Sequence, residues 1–413
     1  MIMKSMPILI FVLFLAQSCE KVPLPRVYRS QALAYSSHKE RQDTLAGAED
    51  ARHDTPDTDV FVSAVSVPRD YNWRRDTSYG AVACELMLFK NGVLLYSFNT
   101  SDSGNINVSA ETHHLIGGHI YTEYSSRDET VICRDGERIL CYAGREILRG
   151  LLVKDDQIYT LGISREDGGF TYRKNGEIVL KQTGTTVFGD FNNSAYGRTG
   201  ALYESEGKIC FCFKTASACF YVRNGSMTQA RVSVGVSRIV DMRIFGPELY
   251  YVADYLSSKI IYTPGRNYTL PAMFQWTGAG LFKRDGEVWF IGEASGSGGT
   301  MCRPVSALAS SVSGALFSGN DNFVYPFGDS IYAVGCGGGN LRVQDSEGQI
   351  LYLRDSTYFF GNGCAAGIGD SFYVLVTPRE EGAPPFVWHD GDQRIYDING
   401  YLTGIEVLLS PPS

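Results

Sequence analysis

From residue 58 onward the chain runs in short stretches of alternating apolar and polar residues, broken by glycine and acidic turns. A two-residue period belongs to strands, and no stretch sustains helical apolar spacing over three turns. One unit recurs: a short acidic or glycine turn, an apolar residue, usually an aromatic one, then a strand. It reads GGHIYTEY at Ile120, DDQIYTLG at Ile158, EGKICFCF at Ile209, GPELYYVA at Leu249, DGEVWFIG at Val288, GDSIYAVG at Ile331 and GDSFYVLV at Phe372. Successive spacings are 38, 51, 40, 39, 43 and 41 residues.

A second signal follows each of these by about fifteen to eighteen residues. It is a hairpin turn flanked by alternating apolar positions: Asp135-Gly136, Asn175-Gly176, Asn224-Gly225, Pro264-Gly265, Glu347-Gly348 and Asp390-Gly391. Asn-Gly and Asp-Gly suit two-residue hairpins because such turns demand positive φ. The sixth unit, near Arg303 to Ser310, carries no clear turn. An earlier unit opens at DVFVSAV (Val60) and closes at Asn91-Gly92 after a long insertion, which makes eight units.

A period near 42 residues with four strands per period is the pattern of a β-propeller blade. In the third unit the strands are predicted at GLLVKD, QIYTLGI, FTYRKN and EIVLKQ. The first unit lacks its innermost strand, and the last has one left over, Leu402 to Leu409. Donating that strand to the first blade closes the ring and removes an exposed sheet edge. The predicted fold is therefore all-β, a single β-propeller over residues 58–413 with eight four-stranded blades, the first closed by the C-terminal strand. Seven blades is the alternative, if the irregular first unit contributes none of its own.

The start of the chain follows other rules. Lys4, an apolar run from Pro7 to Ala16, and small Ala16 and Ser18 before Cys19 have the layout of a cleaved secretory signal. The run is too short for a helix that crosses a bilayer, which needs about twenty residues. Leu15-Ala16-Gln17-Ser18-Cys19 resembles the lipobox of bacterial lipoproteins, which implies a signal peptide over 1–19 and lipidation at Cys19; Gln17 is bulkier than that motif usually carries. Residues 20–57 are rich in Ser, Thr, His and charged side chains, a composition that cannot bury enough apolar surface to order itself and that predicts a flexible polar tether. The expected location is the bacterial cell envelope, lipid-anchored, at the outer membrane on its periplasmic or exposed side.

Charge narrows the partners. The formal net charge is −8, and loss of Lys4 takes it to −9, which argues against nucleic acid as a ligand. The 25 Tyr and 22 Phe suit strands. Of the ten cysteines, nine remain beyond Cys19, and the best candidate disulfide joins Cys212 to Cys219, which face each other if Lys214 to Ser217 form a four-residue turn. No CxxC occurs, so a structural zinc site or thioredoxin-like redox motif has no support.

The turns before the Ile-Tyr strand and at the Asn-Gly hairpin are short, and propellers place both on one face. The remaining connections are long and varied, and function concentrates on loops held by a rigid scaffold. The richest insertion carries Tyr71, Trp73, Arg74, Arg75 and Asp76, where Tyr71 and Trp73 can stack on a sugar ring or anchor a protein partner. Phe191, Asn192, Asn193, Tyr196, Arg198, Gln275, Trp276, Asn322 and Arg342 are candidates for the same face. Chemistry is sparser. His113, His114 and His119 cluster in sequence, but no carboxylate at ligand spacing completes a metal site, and no cofactor is implied. Glu166 with Asp167, and Glu380 with Glu381, are the acidic pairs that could serve glycoside cleavage. SGSGG (295–299) and CGGG (336–339) match no phosphate loop, no GxSxG elbow is present, and no residue is assigned as catalytic.

Lipid anchor, tether and eight units together resemble the propeller lipoprotein of the bacterial outer-membrane protein assembly machine, across nearly the whole chain. That resemblance implies a scaffold that docks a membrane partner. The blade motif of that family, A-x-D-x-x-T-G-x-x-x-W, is absent: the corresponding turns read RKNGEIVL or DSEGQILY. Quinone-dependent eight-bladed dehydrogenases and sialidase Asp-boxes find no match either. Three functional classes follow: a membrane-anchored, non-catalytic binding lipoprotein for a glycan or envelope protein, a carbohydrate-active hydrolase or lyase, and an assembly scaffold.

Overall fold

The computed structural model describes residues 58–410, apart from connecting segments of which the longest are 75–83, 100–112, 189–200 and 310–316. The signal segment, Cys19 and the tether lie outside the described residues. Eight antiparallel sheets follow one another around a ring, each a meander ordered from the axis outward. The fold is a β-propeller of eight blades, not seven.

Blade 1 comprises Gly400–Leu409, Thr58–Ser66, Glu85–Lys90 and Val93–Asn99, so its innermost strand comes from the C-terminus. Blade 2 runs from His113–Ile116 to Glu137–Ala143, and blade 3 from Glu146–Lys154 to Glu177–Gln182. Blade 4 opens on two short strands, Thr186–Val187 and Tyr203–Ser205, and ends at Ser226–Gln229. Blade 5 spans Val236–Phe245 to Asn267–Leu270, blade 6 Phe274–Arg284 to Phe317–Ser318, and blade 7 Asn322–Phe327 to Ile350–Arg354. Blade 8 opens on Thr357–Tyr358 and Ala365–Ile368 and ends at Asp392–Ile395. In the sixth unit, where no hairpin turn was legible, a 3-10 helix, Val305–Ala309, follows the third strand.

Two recurrent sequence signals turn out to be the ends of one interaction. In blades 1 to 4 the hairpin residue Asn91, Asp135, Asn175 or Asn224 has φ between 45° and 54°, and a glycine with φ of 83° or 84° follows it. Each turn residue's side-chain oxygen accepts the backbone N–H of the apolar residue in the Ile-Tyr unit: Val60 at 2.8 Å, Ile120 at 2.9 Å, Ile158 at 2.9 Å and Ile209 at 2.8 Å. Each turn N–H donates back to that same residue's carbonyl at 2.7–2.8 Å. The left-handed backbone, the short side-chain acceptor and the strand start are thus one unit, which explains why the two signals keep step along the chain.

Successive blades bury their apolar faces against each other. Polar side chains and backbone add specific ties between neighbours. The Gly118 N–H donates to Glu406, Leu148 N–H to Glu123, Ala201 N–H to the Arg149 carbonyl, Ile244 N–H to the Tyr203 hydroxyl, and Leu281 N–H to Asp241. At the closing seam, Val60, Val62, Ala64, Leu402 and Ile405 of blade 1 share one core with Phe372, Val374 and Phe386 of blade 8.

Replacing Asn175 by Ala removes the side-chain acceptor for Ile158 N–H and puts a residue that avoids left-handed backbone at φ 49°. Asn175→Ala is expected to lower unfolding stability by about 1–2 kcal/mol. Chemical denaturation measures it, and a variant as stable as wild type contradicts this role for the turn.

Candidate functional site

Short turns lie on one face of the disc, and the loops joining second to third strands and one blade to the next lie on the other. On that long-loop face the insertion after Thr58–Ser66 is built onto blade 8. Its entry is fixed by Val67 N–H to the Asn399 carbonyl at 2.9 Å, and Asn399 Nδ2 donates to the carbonyls of Pro68 at 2.6 Å and Tyr71 at 3.1 Å. Further along, Asn72 Nδ2 donates to Glu381 Oε1 at 3.0 Å, Arg74 Nη2 to the Ala383 carbonyl at 2.8 Å and Arg74 Nε to the Pro378 carbonyl at 3.3 Å. Two loops over 300 residues apart in sequence form one ledge, whose outer surface carries the exposed Arg69, Asp70, Glu380 and Glu381.

Trp73 holds the ledge down. Only 2 % of it is exposed; its ring lies 5.2 Å from Tyr358 and 5.3 Å from Tyr401, and the Arg74 guanidinium covers it at 4.4 Å. The expectation of an open stacking platform at Trp73 is therefore corrected: the indole is core beneath the loop. Tyr71 is half-buried beside it.

The other candidates separate. Arg75, Asp76, Phe191, Asn192, Asn193, Tyr196 and Arg198 lie outside the described residues, as do Glu166 and Asp167. Gln275 and Trp276 belong to the long inner strand Phe274–Arg284 of blade 6, not to a loop, because strand pairing extends up to Phe274. Asn322 likewise starts the inner strand of blade 7. Arg342 lies in Asn340–Gln344, near the same face, where burial lowers its guanidinium pKa. Glu381 holds Asn72, and Glu380 Oε2 stands 3.7 Å from Arg354. His119 Nδ1 lies 2.6 Å from Asp135 Oδ2, and among the described residues no group of three His, Cys, Asp or Glu is placed to hold a metal ion.

The Cys212–Cys219 pairing is corrected too. The turn is Thr215 to Ala218, one residue later than expected, closed by Thr215 N–H to the Ala218 carbonyl at 2.8 Å. Cys219 then opposes Lys214 and Cys212 opposes Tyr221, and both thiols are free. Burial pushes the Cys212 thiol up to about 12.

Sequence reading missed a charged cluster between blades 2 and 3. The Arg173 guanidinium donates to Glu146 Oε1 at 2.9 Å and lies 4.1 Å over the Tyr142 ring, with both charged side chains buried. Room for Glu146 comes from Gly162, where a Cβ would collide with the carboxylate. Beside them Glu123 accepts Leu148 N–H at 2.9 Å. Burial raises the Glu123 carboxyl to about 7, against the lowering by that hydrogen bond and Arg149, with Glu146 adding to the rise. A second such pair, Arg243 Nε to Asp241 Oδ2 at 3.3 Å, is buried in the inner strand of blade 5. The available signal was a charge inside an apolar run, as in FTYRK and RIVDMRIF, because a strand covered on both faces must pair any charge it carries.

No family model and no curated protein matches the chain. Among solved structures, it is similar to apo AztD from Citrobacter koseri at 10% identity and a TM-score of 0.46, covering 85% of this chain and 98% of that one. It is also similar to the dihydro-heme d1 dehydrogenase NirN in complex with DHE, at 11% identity and a TM-score of 0.45, covering 83% and 74%. A puromycin-hydrolyzing peptidase of Mycobacterium tuberculosis follows at 10% identity and a TM-score of 0.40, covering 70% and 54%. Likeness at this level carries no functional argument.

A carboxyl with a folded pKa near 7, above its ordinary 4.5, binds its proton more tightly in the fold. Its contribution is full at low pH and is lost as pH rises through that interval. Glu123→Gln, which keeps an acceptor for Leu148, is expected to remove this slope and to gain on wild type at neutral pH by on the order of 1–2 kcal/mol. Denaturant melts from pH 4.5 to above 7 read it, and parallel profiles for the two proteins contradict it.

Proposed function

We propose that the chain is an exported, membrane-anchored binding lipoprotein, non-catalytic, that meets a glycan or an envelope protein through the long-loop face of its propeller. The division into a signal peptide over 1–19 ending at lipidated Cys19, a tether over 20–57 and the propeller behind them belongs to the same proposal. The observation that carries it is the ledge. The loops around Pro68 to Arg74 and Pro378 to Pro385 are tied together by side-chain hydrogen bonds from Asn72 and Arg74 and pinned by buried Trp73. Loops ordered before a partner arrives lose little entropy on binding, which favours recognition. The ledge also displays charges of both signs, which suits a specific partner better than a nucleic acid.

One observation favours a carbohydrate-active hydrolase or lyase instead. A carboxyl titrating near 7 beside a second carboxylate has the poise of a general acid, and Glu123 with Glu146 is such a pair. The ion pair to Arg173 and the position inside a blade interface give those residues a structural role that accounts for them as they stand.

A photo-crosslinking residue at Asp70 or Glu381 is expected to trap a partner in cells, or a polysaccharide in a binding panel, and one at Glu177 on the short-turn side is not. Equal capture from Glu177 contradicts the placement. Fatty-acid labelling of the mature chain, abolished by Cys19→Ala, checks the anchor, and an unlabelled mature protein overturns it.

A further inference from the structure

The seam between blades 8 and 1 holds a cavity, at the end that carries the Asn91-Gly92 and Asp390-Gly391 turns and thus opposite the ledge. It is an open cleft of about 380 Å³ whose lining includes Tyr373, His389, Asp392, Gln393, Arg394 and Tyr396. Three of these are consecutive on the outermost strand Asp392–Ile395, whose residues are exposed. We infer that this cleft binds a pyranose unit of a glycan.

The walls are built rather than incidental. Tyr373 and His389 stack face to face, with ring centroids 4.0 Å apart and planes within 6°, across neighbouring strands of blade 8. Arg394 is laid over the turn of blade 1. A Cβ on Gly92 would come within 2.8 Å of Arg394 Cδ, and Gly92 has φ 83°, so this turn leaves the space in which the side chain lies. Tyr396 is 2 % exposed, packed edge-on to Phe89 at 4.9 Å, with its hydroxyl buried beside Arg394. Arg394 stands near enough to pull the phenol down, yet burial wins and pushes it up to about 12.

The charges select the ligand class. Arg394 opposes a cation, while Asp392, and Asp390 at 3.1 Å from His389 Nε2, oppose a phosphate or other strong anion. A sugar meets both demands, because each ring hydroxyl donates and accepts, and adjacent hydroxyls suit the paired groups of Asp392, Gln393 and Arg394. Its apolar ring face fits the aromatic wall. The cavity has room for one ring and part of the next, as expected for a site on a longer chain.

The test uses the full chain and methyl glycosides of a neutral hexose, an N-acetylhexosamine and a uronic acid, read by saturation-transfer NMR and calorimetry. Binding of at least one in the millimolar range is expected, weakened about tenfold by Arg394→Ala and by Gln393→Ala, the latter at an exposed position on an outermost strand, where truncation leaves the fold intact. Asp70 and Glu381 variants of the ledge leave it unchanged, which separates this site from the one proposed above. The inference is overturned if no glycoside binds, if binding survives both cleft variants, or if inorganic phosphate binds there more tightly than every sugar.

Discussion

Everything in this molecule depends on one pairing, the antiparallel ladder between Gly400–Leu409 and Thr58–Ser66. A blade is a small sheet with two apolar faces, and alone it buries neither. In a closed ring each blade covers both faces on its neighbours and none is left at an end. Supplying the innermost strand of blade 1 from Gly400–Leu409 joins the two ends of the propeller through a ladder from Thr58 opposite Leu409 to Ser66 opposite Gly400. The buried Val62, Ala64, Leu402 and Ile405 then complete a core shared with blade 8. The bulge between Ser63 and Ala64 leaves Ser63 Oγ within 3.0 Å of Thr403 Oγ1, which satisfies two buried hydroxyls at the joint.

Both proposed sites stand on that joint. The ledge of the long-loop face is made by a loop of blade 1 bonded to loops of blade 8, and Trp73 under it touches Tyr358 of blade 8 and Tyr401 of the closing strand. At the other end of the same seam, Arg394 of blade 8 rests over the Gly92 turn of blade 1. Closure therefore does more than hold the disc together. It brings side chains from the two ends of the propeller within contact of each other, on two faces of the protein.

The repeat plan was legible because the backbone itself demands it. Left-handed φ at Asn91, Asp135, Asn175 and Asn224 restricts those positions to a few residue types, and the bond to the Ile-Tyr start fixes their spacing. Strand count, blade number and the donated strand all follow from that period. Trp73 was not legible as core, since what covers it comes from Tyr358 and Tyr401, more than 280 positions away, and an aromatic in a polar loop looks exposed. The Cys212–Cys219 pairing failed for a smaller reason: a turn displaced by one residue moves every opposing pair, and Thr215 sets the turn through its own hydroxyl. Glu123 and Arg173 were visible as charges within strands, but their partners lie in other strands, Leu148 and Tyr142 across the blade interface, and pairing of that kind has no local signature.

The central claim is that the strand Gly400–Leu409 closes the ring and thereby sets the seam. A chain ending at Asn399 tests it most directly, by thermal unfolding followed with near-UV circular dichroism beside the full chain. The full chain is expected to melt in one cooperative transition, and the truncated chain to lose that transition and its fixed aromatic signal, then to recover both when a peptide of residues 400–409 is added. A truncated chain that melts like the full one, with its aromatic signal intact, would contradict the account.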